Sequence, residues 1–440
     1  MTASAAADQP TVDPQFDPPL DAARHIRYWQ RCFRSVLPHH YTSNDSIRLT
    51  LGFFILSALD LLAPSSATPL VTPEERTRLR DWVLRLQHPH GGFCGSPHHV
   101  LPHGLTSRFD ADTNTQVARD PSNANIAATG FALLCLGLLA EGDGADAFQH
   151  VDRVRTLRWL KKLQREDGSF GEVLTDDGRV SGGRDMRYCY IATIIRWALG
   201  GAEGDKSLDF NVEALVGHIR RAQTFDGGMS ESSMHESHSG YAYCAVAALS
   251  LLDSANLDPD ATSDHYIHAG IPSVPSLLHF LVSRQFAYTD STGDNDENDT
   301  ANHPLPDLHS LSLSDPSPGV VGFNGRPNKV PDTCYTWWNS GALSLLGEIR
   351  LINRRPARRF ILEKTQHLIG GFAKHPGGPP DVYHAYMGLA ALGTMAGTNG
   401  EPGLRAFDPR LCIGSEAAAR MAKAREYIVR KNDGDEDDND

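Results

Sequence analysis

The segment GFNGRPNKVPDTCYTWW, Gly322 to Trp338, crowds Arg326, Lys329, Asp332, Cys334, Tyr335 and Trp338 into one short stretch. Arg and Lys are the side chains that grip an anionic phosphate group. Asp and Cys are zinc-ligand types. Asp332 follows Pro331 and precedes an apolar helical run, so it is placed to cap that helix and hold a metal at once. Cys334 falls just inside the helix start, where the helix dipole favours a thiolate. A third ligand must come from elsewhere, and His384 in DVYHAYMGLAAL is the candidate. Taken singly, each has a plainer reading: a helix cap, a buried thiol, a packed core histidine.

The elements that must position these residues repeat along the chain. LQHPHGGFCG, LQREDGSFGE, AQTFDGGMSE and TQHLIGGFAK share one shape: a Gln ends a helix, a turn with glycines follows, then an aromatic residue or Met. A further copy starts at Arg284-Gln285-Phe286 and resumes at Gly322-Phe323, split by an acidic, Pro-containing insertion at about 288–318 that reads as a solvated loop. After each turn comes a helix rich in small and apolar residues, such as NIAATGFALLCLGLL or SGYAYCAVAALSLL. A helix apolar nearly all round is buried between other helices. The helices before each turn, RTRLRDWVLRLQ and VRTLRWLKKLQ among them, are amphipathic and belong outside. Successive Gln residues are roughly 60 to 80 apart, longer than the common solenoid units. Strand signals are nearly absent. The pattern predicts an all-α fold, an α/α toroid of alternating inner and outer helices. Its expected extent is 21–430, with disordered segments at 1–20 and 431–440.

Bulk properties narrow the function class. The chain of 440 residues has a formal net charge of −13, which argues against a nucleic-acid partner. No apolar run reaches the ~20 residues of a membrane span. The N-terminus lacks the charged-then-apolar order of a signal peptide, which favours the cytoplasm. Seven cysteines, widely spread and without a CxxC pair, read as buried thiols rather than a disulfide framework.

The repeats and the DTCY segment together resemble the β subunits of protein prenyltransferases, over about 25 to 400. That family joins an isoprenoid to a C-terminal cysteine of a protein, using zinc and a partner α subunit. The resemblance implies Asp332, Cys334 and His384 as the zinc set, with one Zn2+ per chain. It implies His238, Arg326, Lys329, Tyr335 and Lys374 around the diphosphate, with Arg187 nearby; an Arg opening a buried helix needs an anion, either the substrate or a nearby Asp. Thr50, Phe54, Tyr241, Cys244 and Trp338 are the implied lipid wall, and the peptide lies across Ala127, Tyr188, Trp338 and Tyr383. Within the family the chain is most similar to the type I geranylgeranyl branch, notably over HIRYWQRCFRSVLPHHYTSNDSIRLTLGFFILSALDLL. Thr50 stands where farnesyl-transferring chains have a bulky Trp, leaving room for a fourth isoprene unit. Lys374 stands where they have a magnesium-binding Asp, so Mg2+ is not expected to be required. The implied partners are an α subunit, geranylgeranyl diphosphate and small GTPases of the Rho kind with C-terminal CaaX motifs, X often Leu.

Some positions depart from that branch. Tyr383 looks like the farnesyltransferase residue where type I chains usually have Leu, which leaves the preferred terminal residue open. Asn125 replaces a His and Met387 an aromatic residue. Farnesyl and Rab-directed branches are the nearest alternatives, and a non-catalytic toroid would have no use for the zinc and phosphate residues together. A terpene-cyclase DxDD occurs only at 435–438, in the acidic tail with no helix to orient it.

Overall fold

The computed structural model describes residues 18–63, 69–97, 109–110, 115–116, 123–175, 178–253, 265–288, 319–397 and 400–434. Helices with no wet side must be surrounded, and six fit that description. They are α2 (Arg48–Leu62), α4 (Ile126–Leu139), α6 (Met186–Ala198), α8 (Ser239–Asp253), α11 (Thr333–Leu345) and α13 (Val382–Ala396). Each touches the next in that order, and α13 returns to α2, so they close a ring. Small residues let the helices approach: a Cβ at Gly130 of α4 would lie 2.6 Å from Ile191 of α6.

Six amphipathic helices surround this ring. They are α1 (Ala22–Arg34), α3 (Pro73–Leu84), α5 (Arg153–Lys162), α7 (Val212–Arg221), α10 (Val274–Val282) and α12 (Arg354–Arg359), the last continuing as a π turn to Thr365. The helix α9 (His265–Gly270) packs on α7 and α8. Strand structure amounts to four antiparallel pairs of two or three residues each among the described residues. The all-α toroid read from the sequence is the fold.

The repeated glutamines do more than end helices. Gln87 Oε1 accepts from the amide of Asp152, the N-cap of α5, at 2.8 Å. Gln164 does the same for Asn211 before α7 (2.8 Å), Gln223 for Ser273 before α10 (2.8 Å) and Gln285 for Asn353 before α12 (2.9 Å). Each Gln amide thus clasps the start of the next outer helix, satisfying an amide that helix geometry leaves without a partner. Gln285 pairs with Phe323 as Gln87 pairs with Phe93, so the split copy is a true repeat with its insertion inside the turn. Residues 289–318 of that insertion lie outside the described residues.

The last clasp closes the circle. Gln366 Oε1 accepts from His25 Nε2 at 2.9 Å, and His25 Nδ1 accepts from the Gly371 amide at 3.2 Å. Those two bonds fix a neutral imidazole, and burial lowers its pKa to about 4. An unfolded His titrates near 6.5, so between about pH 6.5 and 4 the unfolded chain binds the extra proton. Stability from this group is full above that window and lost as pH falls through it. The shift corresponds to about 3 kcal/mol. The His25→Gln protein should therefore show a flatter stability-against-pH curve between pH 6.5 and 4 in urea titrations than the parent. Equal slopes would mean that His25 does not titrate on unfolding.

The ring's second end is stoppered by residues the sequence did not single out. The hairpin of β7 (Phe407–Asp408) and β8 (Ile413–Gly414) leads into α14 (Ser415–Gly434). Tyr190, Tyr243 and Tyr386 donate from α6, α8 and α13 to the carbonyls of Arg410, Pro409 and Cys412 at 2.6 to 2.7 Å. Asp60, buried at the end of α2, faces Arg405 and Arg420 at 3.5 and 3.3 Å. Two expected boundaries move: α14 runs on to Gly434 rather than ending at 430, and the Pro18 carbonyl is held by Arg358 within the segment expected to be disordered. The remainder of 1–20 and of 431–440, namely 1–17 and 435–440, lies outside the described residues. No helix among the described residues is long and apolar enough to cross a membrane. All seven cysteines are among the described residues, and none of them forms a disulfide there.

Candidate metal and phosphate site

First turns of α6, α8, α11 and α13 meet around one cavity of about 450 Å³. Helix N-termini carry partial positive charge and unpaired amides, so their convergence favours an anion. Ten of the residues named from the sequence line this cavity: Arg187, His238, Tyr241, Asp332, Cys334, Tyr335, Trp338, Lys374, Tyr383 and His384. They span about 200 positions of sequence, and only ring closure brings them together.

Asp332 caps α11 as expected. Its Oδ1 accepts from the amides of Cys334 (2.7 Å) and Tyr335 (3.3 Å), which leaves the second oxygen available. One ligand atom each from Asp332, Cys334 and His384 lies within 4.8 Å of the others, close enough for a single ion to join them. Burial, reinforced by the Asp332 carboxylate, pushes the Cys334 thiol well above its usual pKa. Without a cation it stays a thiol; a dication in the cluster would reverse that preference. The donor set of one carboxylate, one thiol and one imidazole with an open fourth position suits catalytic zinc.

Asp381 completes the set and was not picked out from the sequence. It caps α13, accepting from the His384 amide at 2.9 Å through Oδ1, and its Oδ2 meets His384 Nδ1 at 2.6 Å. This fixes the imidazole orientation and leaves Nε2 for a metal, an arrangement that recurs around metal-bound histidines. An Asp three residues before the His at a helix start was the available signal.

The anion side is built next to it. His238 Nδ1 accepts from the Gly240 amide at 3.0 Å, so Nε2 carries the proton and faces the Tyr335 hydroxyl at 3.1 Å. Burial and the nearby Arg326 and Arg187 lower the His238 pKa to about 4, keeping it neutral. With Nε2–H donating to Tyr335 Oη, the Tyr335 proton points elsewhere and can serve an incoming oxyanion. Gly325 makes room: a Cβ there would fall 1.9 Å from the Tyr335 ring. Arg187 is held by Asp185 and stands within 6.0 Å of the Tyr241 ring centre. Of the two anions its position called for, the structure supplies the Asp. The Lys374 backbone is pinned by the Thr333 amide at 3.0 Å, while its side chain is exposed at the cavity with no carboxylate partner among the described residues.

Seven of the residues named from the sequence do not line this cavity. Arg326 is drawn aside by Glu236 at 2.9 Å. Lys329 is exposed on the adjoining loop, which turns through Asn328 at φ 60°, and only its carbonyl is engaged, by Asn324. Phe54 is buried behind Tyr383, with ring centres 5.6 Å apart. Thr50 lies in the first turn of α2, across the ring from α8. Cys244 is plain core on α8, and Ala127 and Tyr188 stand beside the cavity rather than on it. Tyr188 and Asn125 both bond Glu172, at 3.0 and 2.7 Å.

Known proteins agree with this architecture. A geranylgeranyl transferase type-1 subunit beta from Arabidopsis thaliana is 29% identical over 416 residues, covering 90% of this chain and 92% of that protein. The Dictyostelium discoideum protein of the same description is 26% identical over 393 residues, covering 85% and 90%. Among solved structures, Candida albicans protein geranylgeranyltransferase-I complexed with GGPP superposes with a TM-score of 0.70 at 25% identity, covering 92% of this chain and 99% of that one. The family described as the prenyltransferase alpha-alpha toroid domain matches residues 20–413. That match spans nearly the whole ring, and the chain belongs to the prenyltransferase alpha-alpha toroid family.

Proposed function

We propose that this chain is the catalytic β subunit of a cytoplasmic, zinc-dependent protein geranylgeranyltransferase of type I, working with an α subunit. Its substrates are geranylgeranyl diphosphate and proteins ending in CaaX motifs, such as Rho-family GTPases. The observation that carries this reading is the Asp332, Cys334 and His384 cluster in one cavity with Lys374, Tyr335, His238 and Arg187. Asp332, Cys334 and His384 Nε2 would hold the zinc. When bound, it supplies a Lewis acid that keeps the substrate cysteine as a thiolate at neutral pH.

The chain's own groups serve the leaving side. Sulfur attacks the first carbon of the lipid; that carbon's bond to diphosphate oxygen breaks, and the departing oxygens gain charge. Tyr335 donates its hydroxyl proton into a hydrogen bond there, oriented by neutral His238. Lys374 and Arg187 place fixed positive charge beside the same oxygens. Preorganised donors of this kind act where charge develops and need no reorganisation at the moment of reaction. Tyr241 and Trp338 give the lipid an apolar wall.

Lys374 decides between this reading and a farnesyltransferase-like one, which Tyr383 favours. An ammonium near ~4 Å from an anion is worth a few kcal/mol at intermediate dielectric, before desolvation. The α/β complex should reach full rate with zinc present and magnesium absent. Lys374→Asp should slow transfer by roughly 10²-fold and make it respond to added magnesium. A parent rate that climbs strongly with millimolar magnesium would remove Lys374 from this role.

A further inference from the structure

One arginine beside the cavity is held by an ion pair that leaves most of its donors unused. Arg326 Nη1 donates to Glu236 Oε2 at 2.9 Å, a single-pronged contact. Other arginines of this chain meet their carboxylates through two parallel bonds: Arg196 with Asp209, Arg358 with Glu401 and Arg359 with Glu363. Arg326 Nε is shielded from water and has no acceptor among the described residues. A buried N–H left unpaired is costly, so the Glu236 contact is a resting place and not a fitted socket. The backbone beside it is fixed. The Gly325 carbonyl accepts from the Ser239 amide at the start of α8 at 3.0 Å, and the Gly325 Cα lies against the Tyr335 ring. Arg326 is the next residue, and Glu236 comes two residues before His238. The pair therefore flanks the His238 and Tyr335 side of the cavity.

We infer that Glu236 is a positioning residue acting through Arg326: it holds the guanidinium aside while the cavity is empty and yields it to the diphosphate. A diphosphate offers more acceptor oxygens and more charge than one carboxylate oxygen, and a guanidinium grips such groups bidentately. Side-chain rotation alone makes the exchange. The two anions compete for one cation, so the share of molecules with Arg326 on Glu236 raises the apparent dissociation constant of the ligand. Lipid diphosphate binds less tightly than the cavity permits, and the pyrophosphate product leaves more readily. The inference rests on the diphosphate reading above.

The test titrates the α/β complex with inorganic pyrophosphate and with geranylgeranyl diphosphate by calorimetry. Glu236→Gln keeps the size of the side chain and removes its charge. Both dissociation constants should fall about 2- to 5-fold, the bias that an exposed ion pair exerts. In turnover the change should fall on KM for the lipid diphosphate rather than on kcat. Arg326→Ala should weaken both ligands, and adding Glu236→Gln to it should change neither constant further. A gain that persists without Arg326 means that Glu236 acts on the ligand directly by its charge, and overturns the inference while the diphosphate site stands. Unchanged or weaker binding in Glu236→Gln overturns it too, weaker binding being the sign expected if Glu236 steadied Arg326 in a working position. A parent complex that binds neither ligand overturns the diphosphate reading and this inference with it.

Discussion

Cys334→Ala and His384→Ala complexes are expected to contain no zinc and to lose peptide transfer by at least about 10²-fold. The size follows from the substrate. A free cysteine thiol of pKa near 8.5 is only a few per cent thiolate at pH 7, and without the metal it also loses its fixed position, a further large factor. These two sites are better choices than Asp332, whose Oδ1 caps α11. Removing that cap costs about 1 kcal/mol in its own right and would confuse the readout. Binding of the lipid diphosphate should persist, since Tyr335, His238, Arg187 and Lys374 are untouched. Asp381→Asn is the intermediate case: it keeps a capping oxygen for α13 and all three ligands but removes the carboxylate that holds the His384 imidazole, so zinc affinity should fall about 10- to 100-fold. Metal content by elemental analysis, set beside single-turnover transfer, reads all three. Full zinc and full activity in Cys334→Ala would show that the cluster is not the metal site.

Thr50→Trp should turn the enzyme from twenty-carbon toward fifteen-carbon lipid. Ring order places α2 three helices from α8 in either direction, so Thr50 sits on the ring helix opposite α8. A lipid anchored near His238 and Tyr335 must run toward α2 to stay inside the apolar ring. One isoprene is five carbons; at ~0.8 kcal/mol per buried CH₂ its burial is worth several kcal/mol. Each ~1.4 kcal/mol is tenfold in an equilibrium. A Trp that excludes the last unit should thus move selectivity by at least roughly 10²-fold. The check is competition between the two diphosphates for one peptide, with heat stability measured alongside to confirm that the larger side chain is accommodated. Unchanged lipid choice would mean that the lipid ends somewhere other than Thr50.

How far the sequence could be read follows from where each signal sits. The cap, the thiol and the phosphate-binding candidates were adjacent in Gly322 to Trp338, and their residue types announced themselves. The toroid was legible because the Gln turn and the all-apolar helix recur. Less legible were groups whose meaning depends on distant partners. The Gln residues looked like helix ends; their acceptors and donors lie about 50 to 65 residues further on. The stopper was invisible because PGLRAFDPRLCIG matches no repeat, and its tyrosine partners are up to 220 residues away. Arg326 and Lys329 were grouped with the phosphate set by type and by the resemblance; that Arg326 meets Glu236 and that the loop bearing Lys329 turns at Asn328 depend on partners and backbone the sequence does not display. Residue type proposes a role; backbone geometry and the nearest opposite charge decide the place.

The His25 to Gln366 clasp joins residues 341 positions apart. A linear array of repeats has two frayed ends and one interface fewer than it has units, and it can zip up as it is made. A circle has as many interfaces as units and no end at all. The ribosome therefore releases most of this chain before the seam can shut, and until then α1 and the last repeat each expose a face built for the other. Assembly of so non-local a contact is slow compared with local helix pairing. The nascent chain spends that interval as an open arc, the state in which a second chain's α1 could take the place of its own.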